Sequence, residues 1–179
     1  MKVIIIFEKI KDRLFVAKFD TSNRDELDNA FTFWRDAEYL REFFLKYRLD
    51  LKVLDPVMKV YQAVDSVLGE AEDIHDALFE AAIHDRLDEL FKPLDNREQD
   101  QTRYELQKFK ATGPKRKSML RLYAIKFLDT YVISGHAVKI TNKMERPHLR
   151  AELHKLELLK QYLKTDGIES TFVYLDIDV

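Results

Sequence analysis

Cationic side chains in the second half of the sequence are the residues best suited to chemistry. Residues 101–179 carry 15 basic and 9 acidic side chains, whereas residues 1–100 carry 15 and 23. Lys108 and Lys110 are two residues apart, which places both side chains on one face of a strand, and Arg121 supplies a planar guanidinium that suits phosphate oxygens. Charge segregated in this way is typical of a module that faces a polyanion, joined to an acidic module. A chance concentration of lysine and arginine is the alternative explanation.

Several common kinds of chemistry are not expected. The chain has no cysteine, which excludes a disulfide framework, a thiolate zinc site and a cysteine nucleophile. The sequence has no glycine-rich phosphate loop, nucleophile elbow or zinc motif, so we expect no metal, no cofactor and no small-molecule ligand. Its first apolar run, five residues before Glu8, is too short for a signal peptide or a membrane span. We therefore expect a cytoplasmic protein without a membrane partner.

The elements that position these cations are predicted to form one domain, residues 1–179. An acidic hairpin followed by helices occupies residues 1–100, and a basic sheet with a C-terminal helix occupies residues 101–179. The runs KVIIIFEKI and RLFVAKFD predict the hairpin. Helical periodicity then starts from a cap at Ser22 or Asn23, and it continues unbroken to Tyr47.

Later elements follow the same reasoning. Asp55-Pro56 predicts a second helix start, and Gly69 marks a point where that helix ends or bends. Runs at 104–110, 119–127 and 130–140 predict strands whose short links are typical of an antiparallel meander. A helix is predicted from Pro147 to Leu163, and the alternating tail predicts one more strand. This order predicts an α+β fold, with a small antiparallel or mixed sheet and helices on one side.

Two neighbouring segments of the second half carry a recognisable pattern. Arg121-Leu122-Tyr123 precedes a short turn, and residues 135–143 (GHAVKITNK) end the next strand before a helix. The stretch 104–163, which contains these segments and is about a third of the chain, resembles the RelE/HigB-like toxin superfamily of type II toxin–antitoxin systems, in its phage-derived HigB branch. In this sequence His136 stands where the superfamily usually has glycine, and Ile140 replaces a second lysine.

The resemblance implies a RelE-like core with an enlarged helical N-terminal half, and an action on RNA. Many members cleave messenger RNA in the ribosome by attack of a 2′-OH on the adjacent phosphate. This reaction needs a proton acceptor, cations for the pentavalent phosphate and an acid for the leaving oxygen, and basic side chains can supply all three. A metal-independent endoribonuclease is therefore implied, with RNA or the ribosome and a cognate antitoxin protein as partners. The implied catalytic residues are Lys108, Lys110, Arg121 and Lys139, and the implied RNA-binding residues are Lys115, Arg116, Lys117 and Lys143.

Two other functions stay open. One is a non-catalytic module that binds nucleic acid or the ribosome, and the other is a protein-interaction domain that docks a partner through its acidic helices. The candidate residues also have structural explanations. Lys108 and Lys110 fit the solvent face of a sheet, Arg121 fits a salt bridge to the acidic half, and His136 fits a partly buried polar residue.

Overall fold

The computed structural model describes residues 1–94, 118–163 and 170–178. Its strands are β1 (Val3–Ile10), β2 (Leu14–Phe19), β3 (Phe91–Pro93), β4 (Leu120–Phe127), β5 (Thr130–Val138) and β6 (Ser170–Leu175). Its helices are α1 (Glu26–Trp34), α2 (Ala37–Lys46), α3 (Arg48–Leu54), α4 (Val60–Ile83), α5 (Leu87–Leu90) and α6 (Pro147–Tyr162). The predicted hairpin, the two strands after Ser118, the C-terminal helix and the tail strand are confirmed. The predicted strand 104–110 lies outside the described residues.

All six strands join one mixed sheet in the order β1-β2-β5-β4-β6-β3. The β1–β2, β4–β5, β4–β6 and β3–β6 pairs are antiparallel. The β2–β5 pair is parallel and short, with residues 14–16 opposite residues 131–133. The α+β class is thus confirmed. Strands from the acidic first half lie on both sides of the three strands from the basic second half.

Helices cover both faces of this sheet, which corrects the expectation of helices on one side. On one face, Leu120, Leu122 and Ala124 of β4 join a core with residues of α1–α4. On the other face, Tyr123 and Ile125 join a second core with α6. A strand that is apolar on both faces needs cover on both faces, as in sheets buried between layers. The nearly continuous apolar run of β4 is the sequence signal for this arrangement.

The single helix predicted for residues 22–47 is instead divided into α1 and α2. The cap of α1 is Asp25 rather than Ser22 or Asn23, because its carboxylate accepts hydrogen bonds of 3.1 and 2.9 Å from two backbone N–H groups of the first turn. The Asp36 carboxylate caps α2 in the same way, with two bonds of 3.0 Å. A capping aspartate inside a periodic run favours the end of one helix and the start of the next.

The second predicted helix start is also wrong. Asp55 precedes a turn at Pro56 and Val57, and its carboxylate accepts a hydrogen bond of 3.1 Å from the backbone N–H of Val57. The helix α4 begins at Val60 and continues through Gly69. It keeps a buried face on both sides of this glycine, so packing outweighs the low helix propensity of glycine, about 1 kcal/mol relative to alanine.

Candidate functional site

Arg121, the central cation of the predicted site, is buried within the sheet. Its side chain is 6% exposed, and its guanidinium Nη2 lies 3.4 Å from a carboxylate oxygen of Asp176, just after β6. Its Nη1 donates hydrogen bonds to the carbonyl oxygens of Ser118 and Leu120. Asp176 is itself buried and also binds Lys92. Arg121 therefore ties β4 to the C-terminal tail, and its salt bridge goes there rather than to the acidic first half.

The other predicted site residues are placed differently from one another. Lys139 is buried at the end of β5, and its backbone N–H donates a hydrogen bond of 2.7 Å to the carbonyl of Met119. Lys143 is half exposed, with its Nζ 3.5 Å from a carboxylate oxygen of Glu145. The rest of the set, Lys108, Lys110, Lys115, Arg116 and Lys117, lies outside the described residues. The convergence of these cations on one patch stays a prediction.

Arg121→Ala is expected to lower the free energy of unfolding by about 2–4 kcal/mol, because it leaves the buried Asp176 with fewer partners. Urea unfolding followed by circular dichroism measures this change. Lys126→Ala is the matched control on the same strand. Lys126 pairs with the exposed Asp88 at 2.6 Å, so its loss should change stability by no more than about 1 kcal/mol. Equal effects of the two substitutions would contradict the structural role of Arg121.

Sequence reasoning missed a buried cluster of charged groups that joins α1, β5 and α6. The Lys155 ammonium lies 2.7 Å from Oε2 of Glu26 and 3.0 Å from Oε1 of Glu152. The backbone N–H of His136 donates a hydrogen bond of 2.9 Å to Oε2 of Glu152. The cluster lies just beyond the point where the β2–β5 pairing ends, so helices from the two faces of the sheet meet there.

The charges of this cluster support one another. Burial acts to raise the pKa of Glu26, but its contacts with His136 and Lys155 hold that pKa below its ordinary value. Burial raises the pKa of Glu152, although Lys155 and His136 oppose that rise. Burial likewise acts to lower the pKa of Lys155, but Glu152 and Glu26 raise it. Opposite pKa shifts in two neighbouring carboxylates are typical of acid–base sites.

The surroundings of the cluster favour a structural role over catalysis. The His136 ring stacks on Phe33 with ring centres 5.6 Å apart and meets the edge of Trp34 at 5.8 Å. This environment matches the partly buried polar residue that the sequence left open for His136. The three-residue spacing of Glu152 and Lys155 on one helix was visible in the sequence. The pairing of Lys155 with Glu26, 129 positions away, was not.

A cavity of about 500 Å³ lies elsewhere, between the end of β1, α1 and α4. Aromatic side chains form part of its wall, with the rings of Phe31 and His75 5.1 Å apart. Two of its cations are already paired within the chain, Lys9 with Asp25 at 2.7 Å and Arg35 with Glu72 at 2.7 Å. Its lining residues are Lys9, Arg24, Leu27, Asp28, Phe31, Thr32, Arg35, His75 and Phe79. Within residues 1–94, 118–163 and 170–178, no group of three or more acidic, histidine or cysteine side chains is arranged to hold a metal ion.

Comparison of the chain with protein families, with curated proteins and with solved structures finds no match. Of the helices that the structure describes, none combines the length and the apolar character needed to cross a membrane.

Proposed function

We propose that this protein binds RNA, free or in the ribosome, as a non-catalytic module of the RelE/HigB-like kind. The burial of Arg121 is the main support for binding without cleavage. A guanidinium held by Asp176 and by backbone carbonyls inside the protein is not available to stabilise charge that develops on a phosphate. Cleavage by Lys108, Lys110, Arg121 and Lys139 is the alternative, and a cognate antitoxin is a further proposed partner.

The cations around the start of α6 support RNA contact. Arg150 is exposed on α6, and within the described part of the chain no carboxylate pairs with it. The basic stretch 103–117 precedes β4 in the sequence. Met119, the residue before β4, accepts a hydrogen bond at its carbonyl oxygen from the backbone N–H of Lys139, the residue after β5. Lys143 follows four residues later. Basic residues that precede β4 and follow β5 in the sequence favour contact with a phosphate backbone.

Docking through the acidic helices has less support. Many carboxylates of the first half already have a cationic partner in the same chain, which reduces the charge that they offer to another protein. The paired carboxylates include Glu72 with Arg35, Glu80 with Arg86, Asp85 with Arg13, and Asp88 with Lys126.

Binding to a fluorescent single-stranded RNA should weaken as the salt concentration rises, because each phosphate contact releases a counterion. Arg150→Ala is expected to lower the affinity about fivefold and to reduce the slope of log K against log salt by about 0.7. Fluorescence anisotropy over a range of potassium chloride concentrations measures both quantities. Lys11→Ala, an exposed cation in the hairpin turn, is the matched control and should leave the slope unchanged.

The same RNA also tests for cleavage. A product with a 2′,3′-cyclic phosphate end, formed in the presence of a metal chelator, would overturn the non-catalytic proposal in favour of the enzyme. Failure to bind RNA at low salt would contradict both the non-catalytic module and the enzyme.

A further inference from the structure

The segment that joins α2, α3 and the start of α4 has a high concentration of exposed apolar side chains. Val53, Val57 and Leu49 are 85%, 84% and 71% exposed, the three highest values among the large hydrophobic residues that the structure describes. Leu45 and Tyr61 are also exposed, at the two ends of the segment. Leu49 and Val53 are four residues apart on α3 and therefore share a face. Exposed apolar side chains gathered in one place mark interaction sites.

Positive charge surrounds these side chains on residues 45–61, which we name the 45–61 surface. Its two carboxylates are only partly exposed, since Asp50 binds Arg146 of α6 and Asp55 accepts a hydrogen bond from the N–H of Val57. Its exposed cations are Lys46, Arg48, Lys52 and Lys59. The surface is therefore a basic and apolar island in the half of the chain whose net charge is negative.

We propose that the 45–61 surface docks an acidic amphipathic helix of a partner protein. In this mode apolar anchors spaced three to four residues apart pack against the aliphatic side chains, while flanking carboxylates meet the lysines and Arg48. A second copy of the chain fits less well, because a symmetric contact through this surface would bring four cations of one protomer against the same four of its partner.

RNA and membranes also fit less well. Single-stranded RNA binds through bases stacked on aromatic rings, and Tyr61, 60% exposed, is the one exposed aromatic side chain of the 45–61 surface. Helices that lie on membranes are typically long and carry Trp or Phe, whereas α3 has seven residues and neither type. Short aliphatic side chains bordered by cations favour a protein partner.

A display library of helical peptides about 18 residues long, selected on the full chain, tests the proposal. The enriched peptides should carry Leu, Ile or Phe at three- and four-residue spacing with Asp or Glu on the flanks. Binding of a synthetic enriched peptide should fall about tenfold or more in the Leu49→Ser/Val53→Ser variant and about fivefold with Lys52→Glu. Leu128→Ser and Lys11→Glu, at exposed positions elsewhere, are the matched controls and should bind normally.

Four outcomes would overturn the proposal. The selection could yield no binder, or the enriched peptides could lack acidic residues. Peptide binding could be unchanged in the double serine variant, or phosphatidylserine vesicles or RNA could bind the parent chain but not that variant. The two serines replace exposed side chains, so the thermal midpoint should stay within about 2 °C. Neither serine substitution removes a cation, so the double variant should keep its salt-dependent binding to RNA when it loses binding to the peptide. The proposal of RNA binding and the proposal of helix docking can therefore fail independently.

Discussion

Gly135→Ala is expected to lower the free energy of unfolding by about 2–4 kcal/mol. A Cβ atom at this position would overlap the Glu152 carboxylate and lie 3.2 Å from Cδ of Lys155. The carboxylate is held by the backbone N–H of His136 at 2.9 Å and by the Lys155 ammonium at 3.0 Å. It cannot move aside without losing these contacts, so the added methyl group strains a buried ion cluster. Urea unfolding at neutral pH measures the loss.

Two further variants make this result specific. Gly69→Ala is the matched control, because a Cβ atom there meets nothing within 4 Å. Inside α4 it should stabilise the protein by up to about 1 kcal/mol. The Gly135→Ala/Glu152→Ala double variant should lose little more than Glu152→Ala alone, because the overlapping carboxylate is gone. Additive losses, or a Gly135→Ala variant as stable as Gly69→Ala, would contradict the clash.

Lys155→Met is expected to destabilise the protein by about 3–5 kcal/mol at pH 7. Removal of the ammonium leaves Glu26 and Glu152 buried near each other without the cation that lies 2.7 and 3.0 Å from them. Lys160→Met, five residues later on the exposed side of α6, is the matched control. It should change stability by no more than about 1 kcal/mol, because the Lys160 ammonium contacts only the Phe172 ring, 5.5 Å from the ring centre. Urea unfolding of both variants measures the difference.

The loss caused by Lys155→Met should shrink as the pH falls from 7 to 5. In the parent chain the pKa of Glu26 lies below its ordinary value of 4.5, so its stabilising contribution is present above that pH and is lost as the pH falls through the lower folded pKa. Without Lys155, both carboxylates bind protons more readily in the folded protein, which makes the variant relatively more stable in acid. A loss that is the same at pH 5 and pH 7 would contradict this coupling.

Local sequence patterns were sufficient for most of the strands but not for the helix boundaries. The runs that became β1, β2, β4 and β5 predicted those strands because they are rich in β-branched and aromatic residues, whose preference for strands acts locally. The break at Asp36 was missed because the apolar period continues through it, while the Asp36 carboxylate caps the start of a new helix. The helix start predicted at Asp55-Pro56 was wrong because the Asp55 carboxylate stabilises a turn and α4 begins only at Val60. The nearly continuous apolar run of β4 indicates that both of its faces are covered. Which distant helices cover each face does not follow from the run itself.

The candidate site was harder to predict than the fold because its decisive contacts are distant in sequence. Arg121 was recognisable as a cation, but its partner Asp176 is 55 positions away. Arg121 shares a face of β4 with Tyr123 and Ile125, both buried, and this is the local signal that favours a buried salt bridge over a phosphate contact. Lys143, in a polar segment after β5, is exposed as a phosphate-binding residue must be.

The order of strands in the sheet has a consequence for synthesis of the chain. β3 pairs with β6, and β2 meets the rest of the sheet through β5, so the strands of the first half acquire these neighbours only after the second half has been made. Synthesis proceeds at about 5–20 residues per second, so the second half takes on the order of ten seconds to make. During this time the strands of the first half lack these neighbours, and their apolar side chains stay exposed. The excess of acidic residues in the first hundred positions gives the waiting segment a charge that opposes aggregation.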